Sequence, residues 1–246
     1  MVGDTYIILQ ARMNSTRLPG KVMQTIGNTP LIGILLNRIK KAELPIILAT
    51  SNKKENDTLV EYALRQGIIV FRGSENNVLE RYYLAAKEVN ASTIVRITGD
   101  NPLLDGYFLK QQVERYFTIK NERTYLSTGL SQTFPLGMSV EIFGMNLLEE
   151  AYLNAKLPGE FEHVTPYMHQ NKPGNIEIIA PKMQSSKYHY RLTVDTNEDF
   201  LFNEKLIVDY GCENLTLDEI IGIIDQNPVL TQINKLSIQK KWDQCD

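Results

Sequence analysis

The chain has 246 residues, 43% hydrophobic and 22% charged, with 26 Lys and Arg against 29 Asp and Glu for a net charge of −3. That length can bury a full core in one α/β domain, and the composition is that of a globular rather than a disordered protein. An acidic balance argues against a sequence-blind nucleic-acid binder, which needs a broad basic surface.

Two cysteines, Cys212 and Cys245, have no metal-type spacing, so neither a disulfide framework nor a zinc site is supported and a reducing cytoplasm fits best. The start MVGDTYIILQAR lacks a basic leader, and no run approaches the roughly 20 apolar residues of a membrane span. A soluble, untargeted protein is expected.

In chain order, strands are predicted at residues 6–9, 46–50, 68–71 and 93–97. Between them helices are predicted at 30–42, where Leu31, Ile34, Leu35 and Ile39 recur at helical spacing, at 56–67 and at 78–90. This βαβ alternation implies a three-layer sandwich around a mainly parallel sheet, with ligands collecting beyond the carboxyl ends of the strands. Asp105 reads as the N-cap of a helix over 106–120.

The second half is less regular, with strand-like 138–143, 176–180 and 190–194 separated by helical 145–155 and the segment 163–170. Mixed or antiparallel pairing is expected there. Thr216, followed by Asp218 and Glu219, starts a helix over 217–225, and Pro228 opens a last helix toward Trp242. The clusters at 128–135 and 156–160 read either as flaps over a site or as connectors.

The stretch ARMNSTRLPGK at 11–21 directly follows the first strand and carries Arg12, Arg17 and Lys21 without a carboxylate. No Asp or Glu lies between Asp4 and Glu43, a span that also holds Arg38, Lys40 and Lys41. A loop of fixed cations, backbone N–H groups and the Ser15 hydroxyl suits a triphosphate; the alternative is a solvated basic loop. It is not a Walker loop, because Ser15 and Val22 stand where that motif needs Gly and Ser or Thr. No G-x-G-x-x-G follows the strand either.

The run IVRITGDNP at 94–102 ends a buried strand in Asp100, which is either a Mg²⁺ ligand or a turn cap. The run HYRLTVDT at 189–196 again ends in a carboxylate, with His189, Arg191, Thr193 and Asp195 on one face and Tyr190, Leu192 and Val194 on the other. Asp195 is either a second ligand to the same metal or the cap of a helix beginning near Asn197. His163, His169 and His189 lack zinc-hydrolase spacing, and no G-x-S-x-G elbow occurs.

As an ordered set, QARMNSTRLPGK, FRGS with VLERY, RITGDNP, the stretch 137–143, HVTPY and 191–199 resemble the cytidylyltransferases of the spore-coat polysaccharide biosynthesis protein F type. These are relatives of the CMP-sialic acid and CMP-Kdo synthetases, and the likeness covers most of the chain. It implies a Rossmann-like, GT-A-like nucleotidyltransferase domain over 1–246 that forms a CMP-linked sugar acid from CTP with Mg²⁺ and release of pyrophosphate. The same resemblance implies that Ala11, Arg12, Ser15, Arg17 and Lys21 form the nucleotide loop and that Asp100 and Asp195 bind metal.

On this reading Arg12, Arg17, Lys21 and Asp100 are catalytic, and cytosine selection involves backbone near Ala11 together with Arg72 and Ser74. A homodimer in contact through the irregular part, about 125–190, is implied as well, with CTP and an acidic sugar or other hydroxyl-bearing molecule as partners and neither nucleic acid nor membrane. At 98–102 the chain departs from the sialate and Kdo enzymes, which leaves the acceptor open. The general base is unassigned, with His189 a candidate. The rival readings are a GT-A-type glycosyltransferase, which would release a nucleoside diphosphate, and a non-catalytic nucleotide-binding subunit.

Overall fold

The structure, a computed structural model, describes residues 4–239. Its strands are β1 (Thr5–Gln10), β2 (Thr25–Ile26), β3 (Thr29–Pro30), β4 (Ile46–Ser51), β5 (Ile69–Gly73), β6 (Thr93–Thr98), β7 (Thr124–Ser127), β8 (Glu141–Gly144) and β9 (Glu177–Ile179). Its helices are α1 (Leu31–Ile39), α2 (Asp57–Arg65), α3 (Val78–Glu88), α4 (Gly106–Ile119), α5 (Met145–Asn154), α6 (Pro158–His163), α7 (Pro166–His169), α8 (Asn197–Tyr210) and α9 (Leu217–Gln226). Seven strands form one sheet in the order β5-β4-β1-β6-β8-β7-β9, and β2 and β3 form a separate hairpin.

Within that sheet β5, β4, β1 and β6 are parallel neighbours, β8 runs antiparallel to both β6 and β7, and β9 is parallel to β7. All six residues of β4 are buried, as expected where helices cover both faces of a parallel sheet. On one face Ile7, Leu9, Val95 and Ile97 pack with α1, α4, α8 and α9. On the other, Ile8, Ile47, Ala49 and Ile94 pack with α3, α5 and α7. The fold is the three-layer sandwich expected from the alternation, and it is Rossmann-like, as the resemblance implied.

Several boundaries have local chemical causes. The Asp105 side chain accepts from Tyr107 N at 2.9 Å and starts α4, while Thr216 and Glu219 cap the start of α9 reciprocally. The strand predicted from residue 138 begins only at Glu141. Before it, the Thr128 hydroxyl takes over the ladder, donating to Met138 O at 2.9 Å and accepting from Val140 N at 2.9 Å.

The predicted strand 190–194 is not part of the sheet. Its backbone bonds instead to two loops, with Leu192 N on Leu136 O at 2.7 Å and Val194 N on Asp100 O at 2.7 Å. Pro228 opens only a 3-10 turn, Pro228–Gln232, rather than a helix. Trp242 and Cys245 lie outside the described residues. No helix among the described residues is long and apolar enough to cross a membrane.

Candidate active site

The carboxyl ends of β1 and β6 adjoin where the strand order reverses, the usual place for a ligand in an open α/β sheet. Close backbone approach there requires small residues. A Cβ on Gly99 would stand 2.7 Å from the Ala11 Cβ and 3.1 Å from Gln10 O, the carbonyl that accepts from Gly99 N at 2.7 Å. Ala11 is buried in this contact, so its side chain acts by being small.

The loop then folds back on itself, with Gly20 at φ 70° donating its N–H to Met13 O at 2.8 Å. Buried Asn56 anchors it, accepting from Met13 N at 2.9 Å and donating to Ser51 Oγ at 2.7 Å. Sequence reasoning missed Asn56, because an Asn just before a helix carries no signal beyond a helix start. Ser15 is half-buried on the same loop.

Lys21 ends the loop with its side chain turned inward. Its Nζ donates to Val194 O at 2.7 Å, Asp195 Oδ1 at 2.9 Å and Asp100 Oδ2 at 3.3 Å. The two aspartates, far apart in sequence, therefore converge on one ammonium. Arg17 and Arg191 reach the other Asp195 oxygen, at 3.0 and 2.8 Å.

Burial pulls the Lys21 pKa down, but Asp100 and Asp195 outweigh it and hold the ammonium above its ordinary value of 10.5. Burial pushes the Asp195 carboxyl up, and Lys21, Arg17 and Arg191 together reverse this, holding it below its ordinary 3.8. Both groups are thus charged at neutral pH.

Asp195 does not cap α8. Thr196 does, accepting from Asp199 N at 3.3 Å, while Asp199 accepts from the backbone N of Thr196 at 3.1 Å and of Asp195 at 3.0 Å. Asp199, buried and bonded to Arg191 Nε at 2.8 Å, was not singled out by sequence; its place three residues after Thr196 is the capping-box signal that could have found it. Asp100 accepts from Thr98 Oγ1 at 2.7 Å, and Asn101 Nδ2 holds that hydroxyl at 2.8 Å.

Asp100 and Asp195, which here share the Lys21 ammonium, are the carboxylates of this site that could hold a divalent ion, with water or phosphate oxygens for the rest of its shell. Among the described residues no group of three or more His, Cys, Asp or Glu could cage a metal.

Arg12, at the other end of the loop, faces away from this cluster toward Glu75 at 3.1 Å and Glu162 at 4.0 Å. With Asn76, Pro158 and Phe161 these residues line a cleft of about 390 Å³. Neither glutamate stood out in the sequence. Of the other cations in the acid-free span, Arg38 is buried and donates to the carbonyls of Leu104, Cys212 and Glu213 at 3.2, 3.0 and 2.7 Å. Lys40 reaches Gln66 O at 3.3 Å, and Lys41 lies over the Tyr107 ring at 5.3 Å. Only Arg12, Arg17 and Lys21 of that span line the candidate site.

Arg72 and Ser74 have local partners. The Arg72 guanidinium bonds Asp57 Oδ1 at 2.7 Å, Lys53 O at 2.8 Å and Ser51 O at 3.3 Å. Ser74 Oγ accepts from Asn77 N at 3.0 Å just ahead of α3. His189 is exposed and lines a neighbouring cavity of about 460 Å³ with Tyr188, Arg191 and Lys235, outside the Lys21 cluster.

A family model described as "Cytidylyltransferase" matches residues 6–241. The spore coat polysaccharide biosynthesis protein SpsF of Bacillus subtilis (strain 168) is 33% identical over 236 residues, covering 92% of this chain and 96% of its own. A 3-deoxy-manno-octulosonate cytidylyltransferase of Chloroherpeton thalassium is 30% identical over 102 residues, 40% of each chain. The solved structure of a cytidylyltransferase from Leptospira borgpetersenii superposes with a TM-score of 0.87 at 32% identity, covering 97% of this chain and 99% of that one.

Proposed function

The chain belongs to the cytidylyltransferase family, a family of nucleotidyltransferases, and on that premise we propose that it transfers the cytidylyl group of CTP to a hydroxyl of an acidic sugar or related hydroxy acid, releasing pyrophosphate. The observation that carries the reading is the convergence of Asp100 and Asp195 on Lys21, with Arg17 beside them, where the loop leaves β1. The sugar-acid acceptor is supported by the 3-deoxy-manno-octulosonate enzyme and the polysaccharide-biosynthesis relative.

Catalysis in such a transfer consists mainly of positioning and charge neutralisation. Lys21 and Arg12 hold phosphate oxygens of CTP, and Arg17 offsets the charge that develops on the leaving pyrophosphate. Asp100 and Asp195 would hold Mg²⁺, which when bound neutralises phosphate charge. Thr98 and Asn101 fix the Asp100 carboxylate, and Arg191 with Asp199 fixes Asp195. No residue is assigned as general base.

The enzyme works in the cytoplasm, as its cysteine usage supports, and as a homodimer. Exposed Leu153 and Leu157 in the irregular part support self-association there; a single-subunit mass by light scattering would remove the dimer. The reaction is tested by mixing the protein with CTP, Mg²⁺ and a panel of acidic sugars and following pyrophosphate. Release of a nucleoside diphosphate from a nucleotide sugar instead, or undiminished activity of Asp100→Ala, would overturn the reading.

A further inference from the structure

Glu141, on β8, is buried, and its carboxylate gathers side chains from three other elements. Arg96 of β6 pairs with Oε2; Tyr125 of β7 donates to Oε1, and so does Thr165, just before α7, at 2.7 Å. Burial pushes this carboxyl up, and Arg96, Tyr125 and Thr165 outweigh it, so the group is ionised. The reaction proposed for the site does not use it.

Its bond to Thr165 ends a strained segment. Val164 has φ 68° and ψ −52°, a positive-φ γ-turn closed by Thr165 N on His163 O at 2.7 Å. A β-branched residue takes that conformation only when its surroundings enforce it. Here the Val164 side chain is locked in the core on one side and Thr165 is tied to Glu141 on the other. Directly ahead of the turn, Phe161 and Glu162 form the wall of the cleft that faces Arg12.

The cleft's place on the loop suggests which substrate meets that wall. In the proposed reaction the pyrophosphate leaves toward Lys21 and Arg17, so an in-line nucleophile enters from the other end, where Arg12 stands. We propose that Glu141 is a positioning residue which, through Thr165 and the turn at Val164, holds Phe161 and Glu162 against the acceptor. The wall it sets governs acceptor binding; Arg12 is held by Glu75 at 3.1 Å and reaches Glu162 only at 4.0 Å, so its hold on CTP does not depend on the wall. This inference rests on the transfer reaction proposed for the site.

The test uses Thr165→Val, which keeps shape and removes the hydroxyl, and Thr165→Ser, which restores it. The Val variant is expected to raise KM for the acceptor about tenfold while KM and calorimetric affinity for CTP stay at wild-type values, and the Ser variant to return acceptor KM to normal. Loss of folded enzyme would lower kcat and leave both KM values in place. Both KM values rising together, or neither rising, overturns the proposal. Should wild-type protein transfer to no acid in the panel, the reaction itself falls, and amide exchange still decides the positioning role. Faster exchange across 158–165 in the Val variant, reversed in the Ser variant, supports it, and unchanged exchange defeats it.

Discussion

Replacing Lys21 with methionine keeps the length of the side chain and deletes the charge at the centre of the site. Three contacts are lost, to Val194 O, Asp195 and Asp100. Removing one partner of a buried ion pair costs roughly 3–5 kcal/mol. Here Asp195 keeps Arg17 and Arg191, and the Asp100 side chain is 28% exposed, so the loss falls below that range. About 2 kcal/mol is expected, or ~4–8 °C in melting temperature for a chain of this size.

The catalytic loss should be larger. A donor aimed at charge that develops in the transition state contributes about 3 kcal/mol, on the order of a hundredfold in kcat. Because the ammonium no longer competes for the two carboxylates, Mg²⁺ added without nucleotide should raise the melting temperature of Lys21→Met more than that of wild type. Urea unfolding, Mg²⁺ melts and pyrophosphate release on the same preparations separate these effects. A variant that lost stability yet kept wild-type kcat would make Lys21 a purely structural bridge, and one that lost no stability would refute the pairing itself.

Other substitutions probe different parts of the same construction. Gly99→Ala puts a methyl 2.7 Å from the Ala11 Cβ, so an overpacking loss of about 1–3 kcal/mol and weaker CTP binding are expected from denaturation and calorimetry. Arg38→Met leaves three carbonyls without their donor, two of them buried, and should cost about 2–3 kcal/mol, while kcat per folded molecule stays at the wild-type value. Glu141 has a folded pKa below its ordinary 4.5, so its stabilising effect is complete above that pH and fades as pH falls through the depressed value. The gap in urea midpoint between wild type and Glu141→Gln should therefore be widest near neutrality and narrow on acidification below 4.5; a constant gap would contradict an ionised Glu141.

The first half of the fold could be read from the chain because β1, β4 and β6 are largely buried apolar runs and α2 and α3 each bury one apolar face. This held even though edge strand β5 is only partly buried and α1 is buried on nearly every side. β7 escaped notice, since four residues reading TYLS, all buried, show neither alternation nor length. Residues 190–194 carried a genuine alternation, with Leu192 and Val194 fully buried on one side and Arg191 and Asp195 ion-paired on the other. Alternation records which way side chains point, whereas strand membership depends on where backbone bonds go, and here they go to Leu136 and Asp100. Counting charges along the acid-free span overstated the site, because a buried arginine serving carbonyls, such as Arg38, looks in sequence like one meant for a ligand.

The departure from a regular strand at 190–194 also explains how the two acids are held in register. Val194 N and Thr193 Oγ1 both donate to Asp100 O, at 2.7 and 3.3 Å, and Lys21 Nζ donates to Val194 O. The segments that bear Asp100 and Asp195 are thereby joined through main-chain atoms one residue from each carboxylate or closer. A strand seated elsewhere in the sheet would have had its N–H groups occupied by a neighbouring ladder and could not have made this junction. The backbone sets the spacing of the two segments, and the side chains around the carboxylates orient them and set their charge. Substitutions of Arg17 or Arg191 should accordingly change the electrostatics of Asp195 while leaving the junction at Val194 in place.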